Sequence, residues 1–210
     1  MSDLLVRTLS AVVLIVIALG AAFLGGYTFA FLVAATSVLM LAEWRKMTAG
    51  WGFGWSVAGF FYALLPALAL LWIRDRADQG LELLLWVFIV TWATDIGAYF
   101  AGRAIGGPKL APAISPNKTK AGLAGGIVSA GLAGFAWVEA TQLPMLLIWV
   151  APLLAVAAQA GDLFESWMKR RAGVKDSGRW LPGHGGILDR LDGLVPVAIV
   201  TAALVIGGMA

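Results

Sequence analysis

The sequence predicts an all-α, polytopic integral membrane protein, a bundle of about seven transmembrane helices with a cytoplasmic N-terminus. Hydrophobic residues make up 60% of the 210 residues, charged residues make up only 13%, and the mean hydropathy is +0.87. An apolar surface of this extent is stable in lipid rather than in water. Apolar stretches of roughly 20 residues, the length that crosses a bilayer as a helix, recur along the chain.

Seven segments are predicted as spans because each is apolar over nearly its whole length. In chain order they are 8–24, 27–43, 55–73, 81–101, 121–138, 144–166 and 193–209. The sixth contains Pro152, which can interrupt a helix. Arg7 followed by an apolar run is also typical of a signal peptide, but the run is long and further spans follow.

The length predicts one membrane domain, 1–210, with N-terminal spans in 1–80 and the catalytic spans in 81–210. Two long polar connections, 102–120 and 167–192, lie in the second part. These two segments are therefore where a polar site could form outside the spans.

Positive charge predicts the orientation, because cytoplasmic loops are enriched in Lys and Arg. With the N-terminus inside, only Arg74 and Arg76 of the 15 basic residues fall outside, and Asp75 and Asp78 offset them. The cytoplasmic segments hold the other 13, which are Arg7, Arg45, Lys46, Arg103, Lys109, Lys118, Lys120, Lys169, Arg170, Arg171, Lys175, Arg179 and Arg190.

This orientation brings acids from three helices to one side of the membrane. Asp95 lies near the inner end of the fourth span, Asp162 and Glu165 lie at the inner end of the sixth, and Asp189 and Asp192 precede the seventh. Ionisable groups at membrane depth are costly and usually functional. We therefore expect a site there, with Asp95 as a further candidate that could equally pair with a Lys or join helices.

The spacing of these acids suits a metal site built from oxygen ligands. Asp162, Ser166 and Lys169 fall on one helix face, and Asp189 and Asp192, three residues apart, share another. The chain has no Cys and one His, so a hard cation such as Mg²⁺ is expected. The alternatives are a solvated helix start for Asp189 and, for Glu165, the preferred interpretation of an ordinary i,i+4 pair with Lys169.

Two polar segments could bind phosphate or could be plain connections. The segment 115–120 could supply Ser115, Lys118, Lys120 and backbone N–H groups to a phosphate, or simply cap the fifth span. The segment 182–186, Pro-Gly-His-Gly-Gly, is a flexible turn that lets backbone approach a ligand. Neither segment decides between the two interpretations alone.

Small residues recur every four positions in the fifth span, at Gly122, Gly126, Ala130 and Gly134. Such a stripe is typical of close packing between membrane helices. We predict a helix contact there and no nucleotide loop.

Four motifs follow one another in the second polar segment at a recognisable spacing. They are Ser166-Trp-Met-Lys169-Arg170, Lys175-Asp-Ser-Gly178, Leu181-Pro-Gly-His-Gly-Gly186 and Asp189-Arg-Leu-Asp192. Together they resemble the signature of the phosphatidate cytidylyltransferase (CDP-diacylglycerol synthase) family. The segments 159–166, 95–99 and 115–119 are similar to the family as well, so the resemblance runs from about residue 91 onwards.

The resemblance implies Mg²⁺-dependent cytidylyl transfer from CTP to phosphatidate in phospholipid biosynthesis, giving CDP-diacylglycerol and pyrophosphate. It implies metal ligation by Asp162, Ser166, Asp189 and Asp192, with a second cation left open, and catalytic roles for Asp162, Lys169, Asp189 and Asp192. The substrate contacts that we expect are Ser115, Lys118, Lys120, Arg170, Lys175, His184, Gly185 and Arg190. The expected partners are CTP, phosphatidate, membrane lipid and a second copy in a homodimer, without nucleic acid. The expected location is the bacterial inner membrane, with the site facing the cytoplasm.

Three other functions compete with this interpretation. Intramembrane acids often mark the ion pathway of a transporter, but these acids gather on one side and no inverted repeat is evident. The spacing of CDP-alcohol phosphotransferases is absent, because Asp192-Gly193 is followed by Leu-Val-Pro. A CTP-dependent lipid or polyprenol kinase is closer in chemistry and stays open.

Overall fold

The computed structural model describes residues 3–181 and 185–208, which form a helix bundle with one small sheet. In chain order the elements are α1 (Asp3–Leu24), α2 (Gly26–Met47), α3 (Phe53–Arg74), α4 (Gly80–Ala104), β1 (Lys109–Ala111), β2 (Ser115–Thr119), α5 (Lys120–Thr141), α6 (Leu146–Arg171), α7 (Leu188–Leu191) and α8 (Leu194–Ile206).

The helices confirm the all-α class and the membrane assignment. Five of the described helices, α2 to α6, are long and apolar enough to cross a membrane, and shorter apolar stretches lie at Thr8–Leu24 and Leu194–Ile206. Large apolar side chains such as Phe31, Phe53 and Trp149 point outward, as expected of a surface in contact with lipid. The count of seven spans stays a prediction.

The sixth span is a single helix that is longer than its apolar stretch. Pro152 lies inside α6 without ending it, and its ring packs against the position of Gly131 in α5. The helix continues past the predicted end at 166, so its last turn carries Lys169, Arg170 and Arg171. Basic side chains stabilise the carbonyl end of a helix, which explains the extension.

Close packing of α4 against α5 confirms the role of the small-residue stripe. Gly122, Gly126, Ala130 and Gly134 are all buried. A Cβ at Gly126 would lie only 2.9 Å from the carbonyl oxygen of Thr94, and one at Gly122 would lie 2.9 Å from that of Ala98. Larger side chains would therefore separate two helices that border the candidate site.

The first polar connection contains a β-hairpin that the sequence did not predict. Strands β1 and β2 are antiparallel, with Lys109 opposite Thr119 and Ala111 opposite Ser115. The Thr119 hydroxyl then accepts a hydrogen bond from Gly122 N at 3.0 Å, which caps α5. The structure thus shows the cap, one of the two interpretations left open for this segment, and the hairpin fixes Lys118, the residue before Thr119, against α6.

Polar contacts join the helices at both ends of the bundle, but they differ in kind. At one end Arg74 donates to the carbonyl of Ala22, and Gln79 donates to the carbonyl of Thr141. At the other end α2, α6, α7 and the hairpin meet through ionised side chains. The predicted site residues belong to this second end.

Candidate active site

Lys118 joins the hairpin to the acidic face of α6. Its ammonium lies 2.5 Å from Asp162 Oδ2 and donates to Gln159 Oε1 at 2.9 Å. The hydroxyl of Ser166, one turn further along α6, lies 3.3 Å from Asp162 Oδ1. The predicted residues Lys118, Asp162 and Ser166 are therefore brought together.

Lys169 lies at the centre of a buried ion-pair network. Its ammonium is 3.1 Å from Glu165 Oε2 and 2.6 Å from Asp189 Oδ1, and it thereby links α6 to α7. The expected i,i+4 pair of Glu165 with Lys169 is confirmed. It is no ordinary surface pair, however, because only 2% of the Glu165 side chain is exposed.

Several hydrogen-bond donors hold the carboxylate of Asp189 in place. Its Oδ2 accepts hydrogen bonds from Ser177 N at 2.9 Å and Gly186 N at 2.8 Å, and Ser177 Oγ lies 2.9 Å away. Burial opposes ionisation, but the hydrogen bond from Lys169 and those from Gly186 and Ser177 outweigh it and lower the pKa of Asp189. Asp189 is therefore a preorganised anion.

Asp192 lies where the end of α7 packs on α6. Its Oδ1 accepts a hydrogen bond from Gly193 N at 2.7 Å, and a Cβ at Gly161 would overlap the Asp192 carbonyl. Burial, followed by the negative charge of Asp162, raises the pKa of Asp192 to about 7. Mutual repulsion of these carboxylates favours a positive charge or a proton between them.

A cavity of about 600 Å³ opens beside Asp162, between α4, α5, α6 and the hairpin. Among its lining residues are Asp95, Tyr99, Arg103, Asn117, Lys118 and Asp162. Asp95, the further candidate, is exposed and faces this space. The cavity is large enough for a phosphorylated ligand and presents both signs of charge to it.

The other predicted substrate contacts lie around this centre, most of them on the surface. Lys120, Lys175 and Arg190 are exposed, and Arg170 donates to the carbonyl of Ile114 in the hairpin. Ser115 is half-buried in β2, and Gly185 has a φ of 83°, a conformation that favours glycine. His184 lies outside the described residues.

The donor set suits a hard cation, but the side chains as they stand do not enclose one. Within 3–181 and 185–208, no three acidic or histidine side chains form a group that could hold a metal. Lysines pair with Asp162 and Asp189 instead. Among the described residues the buried Glu165 Oε1 has no hydrogen-bond donor of ordinary geometry, and the Asp192 carboxyl group lies next to Glu165. The oxygen chemistry fits Mg²⁺, and the magnesium site stays a prediction.

Sequence reasoning missed Glu43, a completely buried acid of α2. Its carboxylate accepts hydrogen bonds from the backbone N–H groups of Ile187 and Leu188. The available signal was an ionisable residue within an apolar span, which by itself indicates a functional site. Gln159 and Ser177, which hold Lys118 and Asp189, carried no such signal.

Fold and site define a helical membrane protein with an acidic and basic pocket at one end of the bundle. A sequence model of the cytidylyltransferase family matches residues 49–206. The chain belongs to this family, and the resemblance carried by the motifs is confirmed.

Curated relatives named phosphatidate cytidylyltransferase also match this chain. One from Brucella suis is 47% identical over 175 residues, covering 81% of this chain and 62% of its own length. One from Bacillus subtilis is 49% identical over 123 residues, covering 57% and 46%, and one from Staphylococcus saprophyticus is 44% identical over 128, covering 60% and 49%. The chain thus spans less than two thirds of the length of these relatives.

Proposed function

We propose that this chain transfers the cytidylyl group of CTP to phosphatidate, giving CDP-diacylglycerol and pyrophosphate. The observation that carries the proposal is the meeting of Asp162 and Lys118 at the wall of the cavity, one turn of α6 from the network around Lys169. Membership of the family and the names of its relatives support the same reaction.

In this reaction a phosphate oxygen of phosphatidate forms a bond to the α-phosphorus of CTP while the bond to the β-phosphate oxygen breaks. Pyrophosphate leaves with the electron pair, so negative charge grows on the leaving group. Lys118 and Lys169, held by Asp162 and Asp189, would offer ammonium groups to that charge. The attacking monoester is already an anion, so no strong general base is needed.

Asp162, Ser166, Asp189 and Asp192 would hold Mg²⁺. A bound divalent cation supplies neutralisation of triphosphate charge and orients the reacting phosphates. Asp162 and Asp189 pair with Lys118 and Lys169, so the carboxylates that would hold the cation also position two ammonium groups for the nucleotide phosphates. Glu165 contacts the same ammonium group and keeps Lys169 on the α6 face.

We further propose that the protein lies in the bacterial inner membrane as a homodimer with the site facing the cytoplasm. The 13-to-2 distribution of basic residues supports this orientation. Phosphatidate could then keep its acyl chains in the bilayer, while its headgroup reaches the cavity and CTP arrives from the cytosol.

Isotope transfer separates the proposal from its rivals. Purified protein with Mg²⁺ and vesicles that contain phosphatidate, diacylglycerol and a polyprenol should incorporate label from α-labelled CTP into lipid and none from γ-labelled CTP. Transfer of the γ-label instead would assign a kinase, and transfer of neither label by folded protein would refute both enzymes. The Glu139→Gln variant, which changes an exposed acid of α5, is the matched control and should behave as wild type.

A further inference from the structure

Glu43 lies in a polar pocket between α2 and residues 177–178 and 186–188. None of its surface is exposed, and both carboxylate oxygens are engaged. Oε1 accepts from Ile187 N at 3.0 Å, and Oε2 accepts from Leu188 N at 2.9 Å, with Ser177 Oγ at 3.0 Å. A buried carboxylate is costly unless donors surround it, and this one is met by three.

Gly178 and Gly186 leave space for the Glu43 carboxylate. A Cβ at Gly178 or at Gly186 would overlap the side chain of Glu43. Gly178 faces the Glu43 carboxylate alone, whereas a Cβ at Gly186 would overlap the Ser177 hydroxyl as well. The pocket is shaped for an acid that arrives from α2.

Ser177 connects Glu43 to the candidate active site. Its hydroxyl lies 3.0 Å from Glu43 Oε2 and 2.9 Å from Asp189 Oδ2, while its backbone N–H donates to the same Asp189 oxygen. A hydroxyl carries one proton and can donate to one carboxylate at a time. The two acids thus share a donor, and displacement of Glu43 moves the groups that hold Asp189.

We propose that Glu43 is a positioning residue for the reaction, acting through Ser177 and the 186–188 backbone to hold Asp189 in place. This assignment rests on the proposed function. Glu43 lies before residue 49, where the family match begins, so an N-terminal helix contributes to a site whose motifs all lie elsewhere. Its hydrogen bonds within the described residues go to Ser177, Ile187 and Leu188, none of which is a proposed metal ligand, so its role is distinct from ligation.

Glu43→Gln tests the proposal because its amide would set an NH₂ group against the N–H of Ile187 or Leu188. Hydrogen–deuterium exchange of the purified full chain should become about ten-fold faster or more in peptides covering 177–189, as the loss of a charge-assisted hydrogen bond predicts. Peptides of α5 should be unchanged, and Glu139→Gln should match wild type throughout. Unchanged exchange in 177–189, or a uniform increase over all helices, would overturn the assignment.

Steady-state kinetics give the second readout. A misplaced Asp189 should lower kcat about ten-fold or more and raise the Mg²⁺ concentration for half-maximal activity, whereas a purely structural role would lower the folded fraction alone. Loss of activity in strict proportion to folded protein, with an unchanged Mg²⁺ requirement, contradicts positioning. If the wild-type chain makes no CDP-lipid, the proposed function fails, and the exchange experiment still decides whether Glu43 anchors Asp189.

Ser177→Ala keeps the test decisive if Glu43→Gln does not fold. It removes only the shared hydroxyl, so faster exchange limited to 186–189 and the same shift in Mg²⁺ requirement are expected. Wild-type values for both would refute the link. In a folded Glu43→Gln/Ser177→Ala double variant, the two effects should be less than additive, since both act on Asp189. Full additivity would speak against a shared route.

Discussion

Replacing Lys169 with Met removes the cation from the buried network while keeping most of the side-chain volume. Glu165 and Asp189 are then left without their shared ammonium, although only 2% and 6% of their side chains are exposed. Removing one partner of a buried ion pair costs about 3–5 kcal/mol. Asp189 keeps its donors from Ser177 and Gly186, so we expect a loss near the lower end of that range.

The assay is thermal unfolding of purified protein in detergent, followed by the fluorescence of its ten tryptophans. A loss of about 3 kcal/mol lowers the Tm of a chain of this size by about 6–12 °C. Lys175→Met, at an exposed position, is the matched control and should shift the Tm little. Adding Glu165→Gln to Lys169→Met removes the buried carboxyl group that has lost its ammonium partner and should recover part of the loss. A Lys169→Met variant as stable as wild type, or a double variant no more stable than the single one, would refute the network.

Three further predictions concern phosphate binding, pH and topology. Lys118→Ala should raise the KM for CTP or lower kcat by about ten-fold in steady-state kinetics, while Lys120→Ala, at an exposed position, should change these two constants less. Equal effects of the two substitutions would argue against a special role for Lys118. The pKa of Asp189 is lowered from its ordinary value of 3.8, so the ionised carboxylate stabilises the fold above that pH, and this stabilisation is lost as the pH falls through the pKa of the folded state. In denaturant unfolding, wild type should therefore lose stability more steeply with acid than Asp189→Asn. Parallel curves of stability against pH would contradict this. A reporter in the 172–180 loop should map to the cytoplasm and one after Ile206 outside, and a loop that maps outside would separate the site from CTP.

Hydropathy and charge were sufficient to predict the helices, because a bilayer requires long apolar segments with satisfied backbones. Every predicted span overlaps one of the helices from α1 to α6 or α8. The hairpin at 109–119 escaped prediction because its strands are short and polar. The extension of α6 to Arg171 escaped because basic residues end an apolar stretch without ending a helix.

Part of the predicted set meets in space, since Lys118 contacts Asp162 and Lys169 contacts Asp189. That these residues form an active site stays a prediction. The sequence did not predict the ion pair of Lys118 with Asp162, because these two side chains come into contact only when the hairpin folds back on α6. Glu43 was overlooked for a related reason. It lies far from the motifs along the chain, and only the packing of α2 brings it to Ile187 and Leu188.

The central claim is that acids from α6 and α7 form one catalytic site, and a double-variant comparison of kcat tests it most directly. Asp162→Asn and Asp189→Asn should each lower kcat by about 10²–10³, the usual loss for a group that stabilises transition-state charge. If both acids serve one site, the double variant should lie within about three-fold of the worse single one. Losses that multiply to about 10⁴–10⁶ would show independent action and contradict the account.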